Sequence, residues 1–347
     1  MGNSDAMKWF HRTLVFDFGS ANTVVCEKGQ IVFDEETIIS VWPEGDIDVG
    51  SRARMLHCGE KEGFWGKWPA GECNKTYFPI SRGHVADFGY FEAYVKGVVK
   101  KVARFPRFCS VIIAMPDELS DDEFGSMVTR AFLDPFLELN VNNVRTIPQS
   151  VAAAAGLSLL SDKHHLILDI GYGKTRVSLV KDSCVYKTKL LKSVSGESWI
   201  SAIRTYIRAE SQVNFSISTV ESALVNVGSA MKNLLDPPTP FSITGPSRMT
   251  GHLNTIVLDH KVMADVLNPN LLLLEKELSA FVHEVMAISD DVSRDIISEG
   301  IWMIGGGSRL RGMQERLGNK LNITVNTVYN PFHAVARGPI CLQFENH

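Results

Sequence analysis

The sequence contains no C-x-x-C pair; its six cysteines stand apart at positions 26, 58, 73, 109, 184 and 341. That spacing argues against a zinc site and for reduced thiols in a cytoplasmic protein. No apolar run approaches the roughly 20 residues needed to cross a bilayer, and no secretory signal pattern is visible. The opening MGNSDA has Ala6 where N-myristoylation needs Ser or Thr. Positive charge is not in excess either. The formal net charge is −4, so nucleic acid is not an expected partner. What remains is an ordinary globular composition, 45% hydrophobic and 21% charged. At 347 residues the chain exceeds the roughly 250–300 that one core usually serves, so two or more domains are expected.

Chemistry first shows in LVFDFGSANTVVCE, Leu14–Glu27. An apolar strand reaches an acid, Asp17, passes Gly19, Ser20, Ala21, Asn22 and Thr23, and resumes as strand. This reads as a β-hairpin. Successive backbone N–H groups in such a turn form a concavity that binds anions. Asp17 has the wrong sign for an anion unless a cation such as hydrated Mg²⁺ lies between them. The stretch therefore reads either as a phosphate–metal turn or as an ordinary hairpin with a solvated acid. The same design returns about 150 residues later in LILDIGYGKTRVSLV, Leu166–Val180, with Asp169, Gly171, Tyr172, Gly173, Lys174 and Thr175. Two hairpins of one design suggest two similar domains facing one phosphate chain.

A third element is GIWMIGGGSRLRGMQERL, Gly300–Leu317. An apolar strand, Ile301–Ile304, meets Gly305, Gly306 and Gly307, and a helix is expected to begin near Ser308 as its N-cap. Glycines let a backbone approach a ligand, and a helix N-terminus favours negative charge. Leu310 stands where a dinucleotide fingerprint needs its last glycine, so a Rossmann reading fails.

Together these elements resemble the actin superfamily of ATPases and, within it, the MreB family of bacterial actins. The hairpins resemble its first and second phosphate motifs, and Gly305–Gly307 its adenosine motif. Further landmarks follow in register: SRGHVADF (Ser81–Phe88), VIIAMPDELSDDE, QSVAAAAG, VSGESWISAI, NVGSA and NPFHAVARG. The resemblance implies an α/β actin-like fold of two facing domains, each with a five-stranded sheet flanked by helices, and a nucleotide in the cleft. Domain I would span 13–150, with a small subdomain at about 39–76 and a closing helix at 331–347. Domain II would span 151–330, with a small subdomain at about 187–255.

It also implies ATP or ADP with Mg²⁺ held by Asp17 and Asp169 through water. The turn residues named above, with Gly196 and Glu197, would line the phosphates; Glu221, Gly305–Gly307 and Ser308 would border the adenosine. The chain departs from the family at Tyr172 and Lys174 in the second turn and at Leu224, where a lysine is common. Gln149 stands where the MreB family has glutamate. An amide is no general base, but it can orient a water for a loose phosphoryl-transfer transition state, which depends mainly on positioning. The other reading is that Gln149 caps a helix over Val151–Gly156.

The expected activity is slow Mg-dependent ATP hydrolysis coupled to polymerisation, with self-association into protofilaments as a scaffold for cell shape. Alternatives are a non-polymerising nucleotide-binding adaptor and a filament for organelle or DNA positioning. A kinase would need an acidic base beyond the metal-linked aspartates, and none is visible. MKWFHR (Met7–Arg12) and ARFPRFCS (Ala103–Ser110) place Trp9, Phe10, Phe105 and Phe108 beside cations. By resemblance these would form an edge that touches the inner membrane surface, with membrane-bound morphogenesis proteins as further partners; the other reading is that the aromatics fold back onto the domain.

Overall fold

The computed structural model describes residues 12–42, 46–54, 75–119, 123–191, 194–211, 215–247 and 250–344. The chain divides into two compact units. One comprises Met1–Leu160, Ser183–Val185 and His333–His347; the other comprises Ser161–Asp182 and Tyr186–Phe332.

The first unit contains β1 (Arg12–Phe18), β2 (Asn22–Glu27), β3 (Gln30–Glu36), β4 (Ile39–Val41), β5 (Ile47–Val49), β6 (Lys75–Tyr77), β7 (Ile80–Ser81), β8 (His84–Val85), β9 (Cys109–Met115) and β10 (Asn143–Pro148). Its main sheet has the order β10-β9-β1-β2-β3. The hairpin β1–β2 is antiparallel, whereas β1–β9 and β9–β10 are parallel. A small sheet, β5-β4-β6, lies in the stretch where the first subdomain was expected.

Strand alternation explains how β1 serves two faces. Leu14, Phe16 and Phe18 enter one core with Phe91, Tyr94, Val95 and Val98 of helix α1 (Phe88–Val102) and Phe132 and Phe136 of α2 (Glu123–Glu138). Phe16 and Phe136 meet edge to face at 4.9 Å. Each such buried ring contributes about 1.5–3 kcal/mol. Val15 joins the opposite face with Val24, Cys26, Ile112 and Ala336. Asp17 alternates onto that second face.

Two helices cover it. Helix α3 (Gln149–Gly156) is QSVAAAAG, and it packs on the last helix of the chain, whose backbone is described over Ala334–Phe344. Small residues let the two backbones nearly touch. A Cβ on Gly338 would collide with the Ala152 carbonyl, and one on Gly156 with the Ala334 carbonyl. This contact is why α3 belongs to the first unit, which continues to Leu160.

The second unit repeats the plan. Its strands are β11 (His165–Ile170), β12 (Thr175–Lys181), β13 (Cys184–Leu191), β14 (Phe241–Pro246), β15 (Leu253–Leu258), β16 (Ile301–Ile304) and β17 (Val325–Thr327). The sheet order β13-β12-β11-β16-β17 matches the first sheet read in reverse. The hairpin β11–β12 is antiparallel, and β11–β16 and β16–β17 are parallel. Its core includes Leu166, Leu168 and Ile170 with Trp199 and Ile203 of α4 (Gly196–Ser211), Val220 of α5 (Ile217–Val227) and Leu271, Leu274 and Leu278 of α6 (His260–Met286). Helix α7 (Asp290–Glu299) holds the far end of β11. There Asp295 accepts from the His164 backbone N–H at 2.9 Å and contacts its ring Nδ1 at 2.7 Å. Burial opposes ionisation of Asp295, but the His164 bonds outweigh it and hold the carboxyl below its usual range. Helix α8 (Met313–Leu321) and the closing helix α9 (Ala334–Phe344) complete the chain.

Gly338→Ala should destabilise the protein by about 1–3 kcal/mol or more, because neither backbone at the α3–α9 contact can yield. Gly89→Ala, in the first turn of α1 with its nearest foreign atom at 3.5 Å, should be neutral or stabilising by up to about 1 kcal/mol. Chemical denaturation of the two variants checks this; equal effects would contradict the close-packing account.

Candidate functional site

In the first unit the turn after β1 is closed by the Gly19 N–H, which donates to the Asn22 carbonyl at 3.0 Å. A Cβ on Gly19 would stand 2.6 Å from that oxygen, so no larger residue fits. Buried Thr37 then fixes two turn carbonyls. Its Oγ1 donates to Gly19 O at 2.7 Å, and its N–H donates to Ala21 O at 2.7 Å. A trans peptide points its N–H opposite to its C=O. The Ser20 and Asn22 N–H groups therefore face away from Thr37, as an anion-binding turn requires. Thr23 is buried, with its Oγ1 2.9 Å from that of Thr37. The Ser20 hydroxyl accepts from the Gly83 N–H at 2.8 Å, pinning the β7–β8 hairpin to the turn.

On the face covered by α3, Gln149 donates its side-chain N–H to Asp17 Oδ1 at 3.1 Å. Gln149 is the first residue of α3 and Pro148 is its N-cap, so Gln149 does not cap a helix over Val151–Gly156. The helix start is held instead by Asp117, which accepts from the Ser150 N–H at 3.0 Å. At the far end of β1–β2, Arg12 grips Glu27 with two bonds of 2.6 Å, and the hydrogen bond holds that carboxyl below its usual range.

The second unit solves the same problem with a helix. The Gly171 N–H donates to Lys174 O at 2.9 Å, and a Cβ on Gly171 would lie 2.8 Å from that oxygen. The first N–H groups of α4 take the turn's carbonyls: Gly196 donates to Gly171 O at 3.0 Å and Glu197 to Tyr172 O at 2.8 Å. The Tyr172 and Gly173 N–H groups consequently face away from α4. Tyr172 fits because its ring packs on the core and its atoms run close to Gly196. Thr175 is buried at the start of β12, and Lys174 is half-buried. Asp169 pairs across the hairpin with Arg176, which is 2% exposed, so a buried guanidinium leaves the sheet on the carboxylate's face. No signal in the sequence singles out Arg176, which there looks like any polar residue in a strand.

The glycine loop is shaped by the same carboxylate. Gly305 has φ of 77°, and a Cβ there would strike Asp169 Oδ1. Gly307 is pressed against Ile170, and a Cβ on Gly306 would stand 2.9 Å from the Phe332 ring. The expected helix at Ser308 is corrected: Gly306–Arg309 is a single 3-10 turn, and α8 starts at Met313 after Gly312. Ser308 is buried and donates its hydroxyl to Gly305 O at 2.7 Å, closing the short turn. Gly228-Ser229-Ala230 ties α5 to the chain after this loop, with Ala230 N–H donating to Arg311 O at 2.7 Å. Glu221 lies half-buried on α5, and Leu224 packs against the core one turn later.

Among the described residues no three His, Cys, Asp or Glu side chains converge as a metal cage. The donor set at each turn, one carboxylate, suits a Mg²⁺ that keeps most of its waters. Trp9 and Phe10 lie outside the described residues. Phe105 and Phe108 are 52% and 36% exposed; Phe105 precedes and Phe108 ends the 3-10 turn Pro106–Phe108 before β9, with Arg104 and Arg107 over their rings at 5.3 and 5.0 Å.

Gln149→Glu would set a second carboxylate beside Asp17, and like charges at that separation raise the pKa of the pair. The folded protein then holds a proton that the unfolded chain releases, so stability falls as pH rises. In Mg-free buffer the variant should lie nearest wild type at pH 5 and fall about 1 kcal/mol further below it at pH 8. A pH-independent offset in denaturant melts would contradict the Gln149–Asp17 contact.

A family model described as MreB/Mbl protein matches residues 11–346. The cell shape-determining protein Mbl of Bacillus cereus (strain ATCC 10987 / NRS 248) is 24% identical over 337 residues, covering 95% of each chain. The crystal structure of MreB5 of Spiroplasma citri bound to AMPPNP superposes with a TM-score of 0.79 at 20% identity, covering 97% of this chain and 98% of that one. A MamK double helical filament gives a TM-score of 0.75 at 15% identity, covering 97% and 99%. The fold is actin-like, and the chain belongs to the MreB/Mbl family.

Proposed function

We propose that this protein is an ATP-binding bacterial actin that assembles into filaments at the inner face of the membrane as a scaffold for cell shape. The repeated turn carries the reading: each unit ends a strand in a carboxylate and follows it with N–H groups turned away from the anchored side. Backbone N–H groups of Ser20, Asn22, Tyr172 and Gly173 would meet phosphate oxygens, with Lys174 adding charge. Glu221 and Gly305–Gly307 would border the adenosine. Bound Mg²⁺ supplies charge neutralisation on the phosphates. Asp17 and Asp169 would hold its waters.

Gln149 is proposed to orient the attacking water, since its amide can donate to one group and accept from another. Gly196, Glu197 and Thr37 act behind the turns, and Ser308 behind the glycine loop. Self-association draws support from the MamK filament, nucleotide binding from MreB5 with AMPPNP, and cell shape from the names of the curated relatives. Each is a property of that protein and, for this chain, a proposal.

Among the described residues no helix is long and apolar enough to cross a membrane, so contact would be peripheral. The exposed Phe105 and Phe108 with their arginines support a lipid-facing edge; by resemblance Trp9 and Phe10 would add to the membrane contact. One buried ring contributes about 1.5–3 kcal/mol, and each nearby cation about 1 kcal/mol at an anionic surface. That is marginal for a monomer, whereas linked copies bind with avidity. Self-association and membrane-bound morphogenesis proteins are the proposed partners of a cytoplasmic, membrane-peripheral protein.

Sedimentation tests the whole reading. Wild type should pellet with Mg-ATP and, once polymerised, with anionic liposomes. Asp17→Ala should remain in the supernatant in both. Replacing Trp9, Phe10, Phe105 and Phe108 by Ser should abolish liposome binding and leave ATP-dependent pelleting. ATP-independent behaviour of wild type, or wild-type pelleting by Asp17→Ala, would refute the assignment; a soluble wild type that binds ATP would favour the non-polymerising adaptor.

A further inference from the structure

The first phosphate turn is backed by a side-chain chain that neither the motif nor the proposed chemistry requires. Asn22, the residue whose carbonyl closes the turn on Gly19, donates its side-chain amide to Asp34 Oδ1 at 3.3 Å. The other oxygen of Asp34 meets His333 Nε2 at 2.9 Å. Asp34 lies on β3, in register with Val24 of β2, two residues from Asn22. His333 immediately precedes α9, and its carbonyl accepts the Arg337 N–H at 3.1 Å. The pair joins residues 299 positions apart.

The tautomer of His333 follows from the surroundings. His333 Nδ1 is buried without a hydrogen-bond partner, so a proton there would be an unsatisfied buried donor. The proton consequently sits on Nε2, which donates to Asp34, an assignment made from the bonding pattern. Asp34, accepting from His333 on one side, presents its second oxygen to the Asn22 amide. Asp34 accepts two bonds, and both donors are fixed by backbone that is itself held, one in the turn and one at the helix start.

We propose that His333 is a positioning residue for nucleotide binding: acting through Asp34, it orients Asn22 and so fixes the first phosphate turn from the base of the closing helix. This rests on the nucleotide reading above and adds to it a specific residue remote in sequence from every phosphate motif. The side chain at 333 does not contact phosphate. Its effect travels through two hydrogen bonds and one carbonyl, so it should appear in nucleotide affinity and be absent when Asn22 can no longer respond.

A double-mutant cycle reads this directly, with affinity for a fluorescent ATP analogue measured by anisotropy in Mg²⁺. His333→Ala should weaken binding about fivefold, the usual scale for loss of one hydrogen bond. His333→Gln, whose amide can donate as Nε2 does, should stay within about twofold of wild type. Combining His333→Ala with Asn22→Ala should bind no more weakly than Asn22→Ala alone. If His333→Ala does not fold, Asp34→Asn, which keeps the side chain's shape, enters the cycle in its place. Additive losses, or wild-type affinity in His333→Ala, would overturn the relay while leaving ATP binding intact. Failure of wild type to bind the analogue would overturn the nucleotide reading and the relay with it.

Discussion

A turn can bind phosphate only if its carbonyls are kept from facing the anion, and the turns of both units meet that condition. In the first, Thr37 takes the carbonyls of Gly19 and Ala21. In the second, the opening N–H groups of α4 take those of Gly171 and Tyr172. The chemistry of the anchor differs, a buried threonine against a helix N-terminus, yet the consequence is shared. Planar peptides leave the N–H groups on the opposite side. Each glycine is fixed by the same close approach, to Asn22 O in one turn and Lys174 O in the other. The matching sheet orders show that the likeness extends from the turns to the architecture.

The two carboxylates sit in different electrostatic settings. Asp17 accepts from a neutral amide, Gln149. Asp169 lies opposite a buried arginine, and its Oδ1 occupies the space a side chain at Gly305 would need. A fixed guanidinium on the carboxylate's face offsets some of the charge a divalent cation would otherwise neutralise. The second turn thus carries cationic character at Lys174 and Arg176, whereas the first depends on backbone donors and an amide. Tyr172, unusual for such a turn, costs little because Gly196 leaves room for it and the core receives its ring.

The hairpins were legible in the sequence because every signal for them is local: an apolar run, an acid, a glycine and a resumed strand within 14 residues, Leu14–Glu27. What holds them was not legible. Thr37, Gly83, Asp117 and His333 come from separate places along the chain; the last three stand in segments that carry the resemblance, SRGHVADF, VIIAMPDELSDDE and NPFHAVARG, but no spacing rule gives them these contacts. The Ser308 error has a different origin. A serine after glycines carries the same capping signal whether a 3-10 turn or an α-helix follows, and here Gly312 ends the turn before α8 begins. The run QSVAAAAG, which resembles the family's connecting helix, is helix over its whole length. Of the two readings of Gln149 the structure therefore removes the one in which it caps a helix starting at Val151; the Ser150 N–H is met by Asp117 from another loop.

Gln149 belongs to neither turn: it begins α3 and donates to Asp17. Binding and hydrolysis should therefore separate in this protein, since the N–H groups proposed to meet phosphate do not depend on the Gln149 amide. The most direct measurement is the ATP dissociation constant and the single-turnover hydrolysis rate of Gln149→Ala beside wild type. The predicted result is a rate reduced about a hundredfold or more with affinity changed by less than about threefold, the scale expected for loss of one oriented group in the transition state. Equal changes in affinity and rate, or no change in either, would contradict the account.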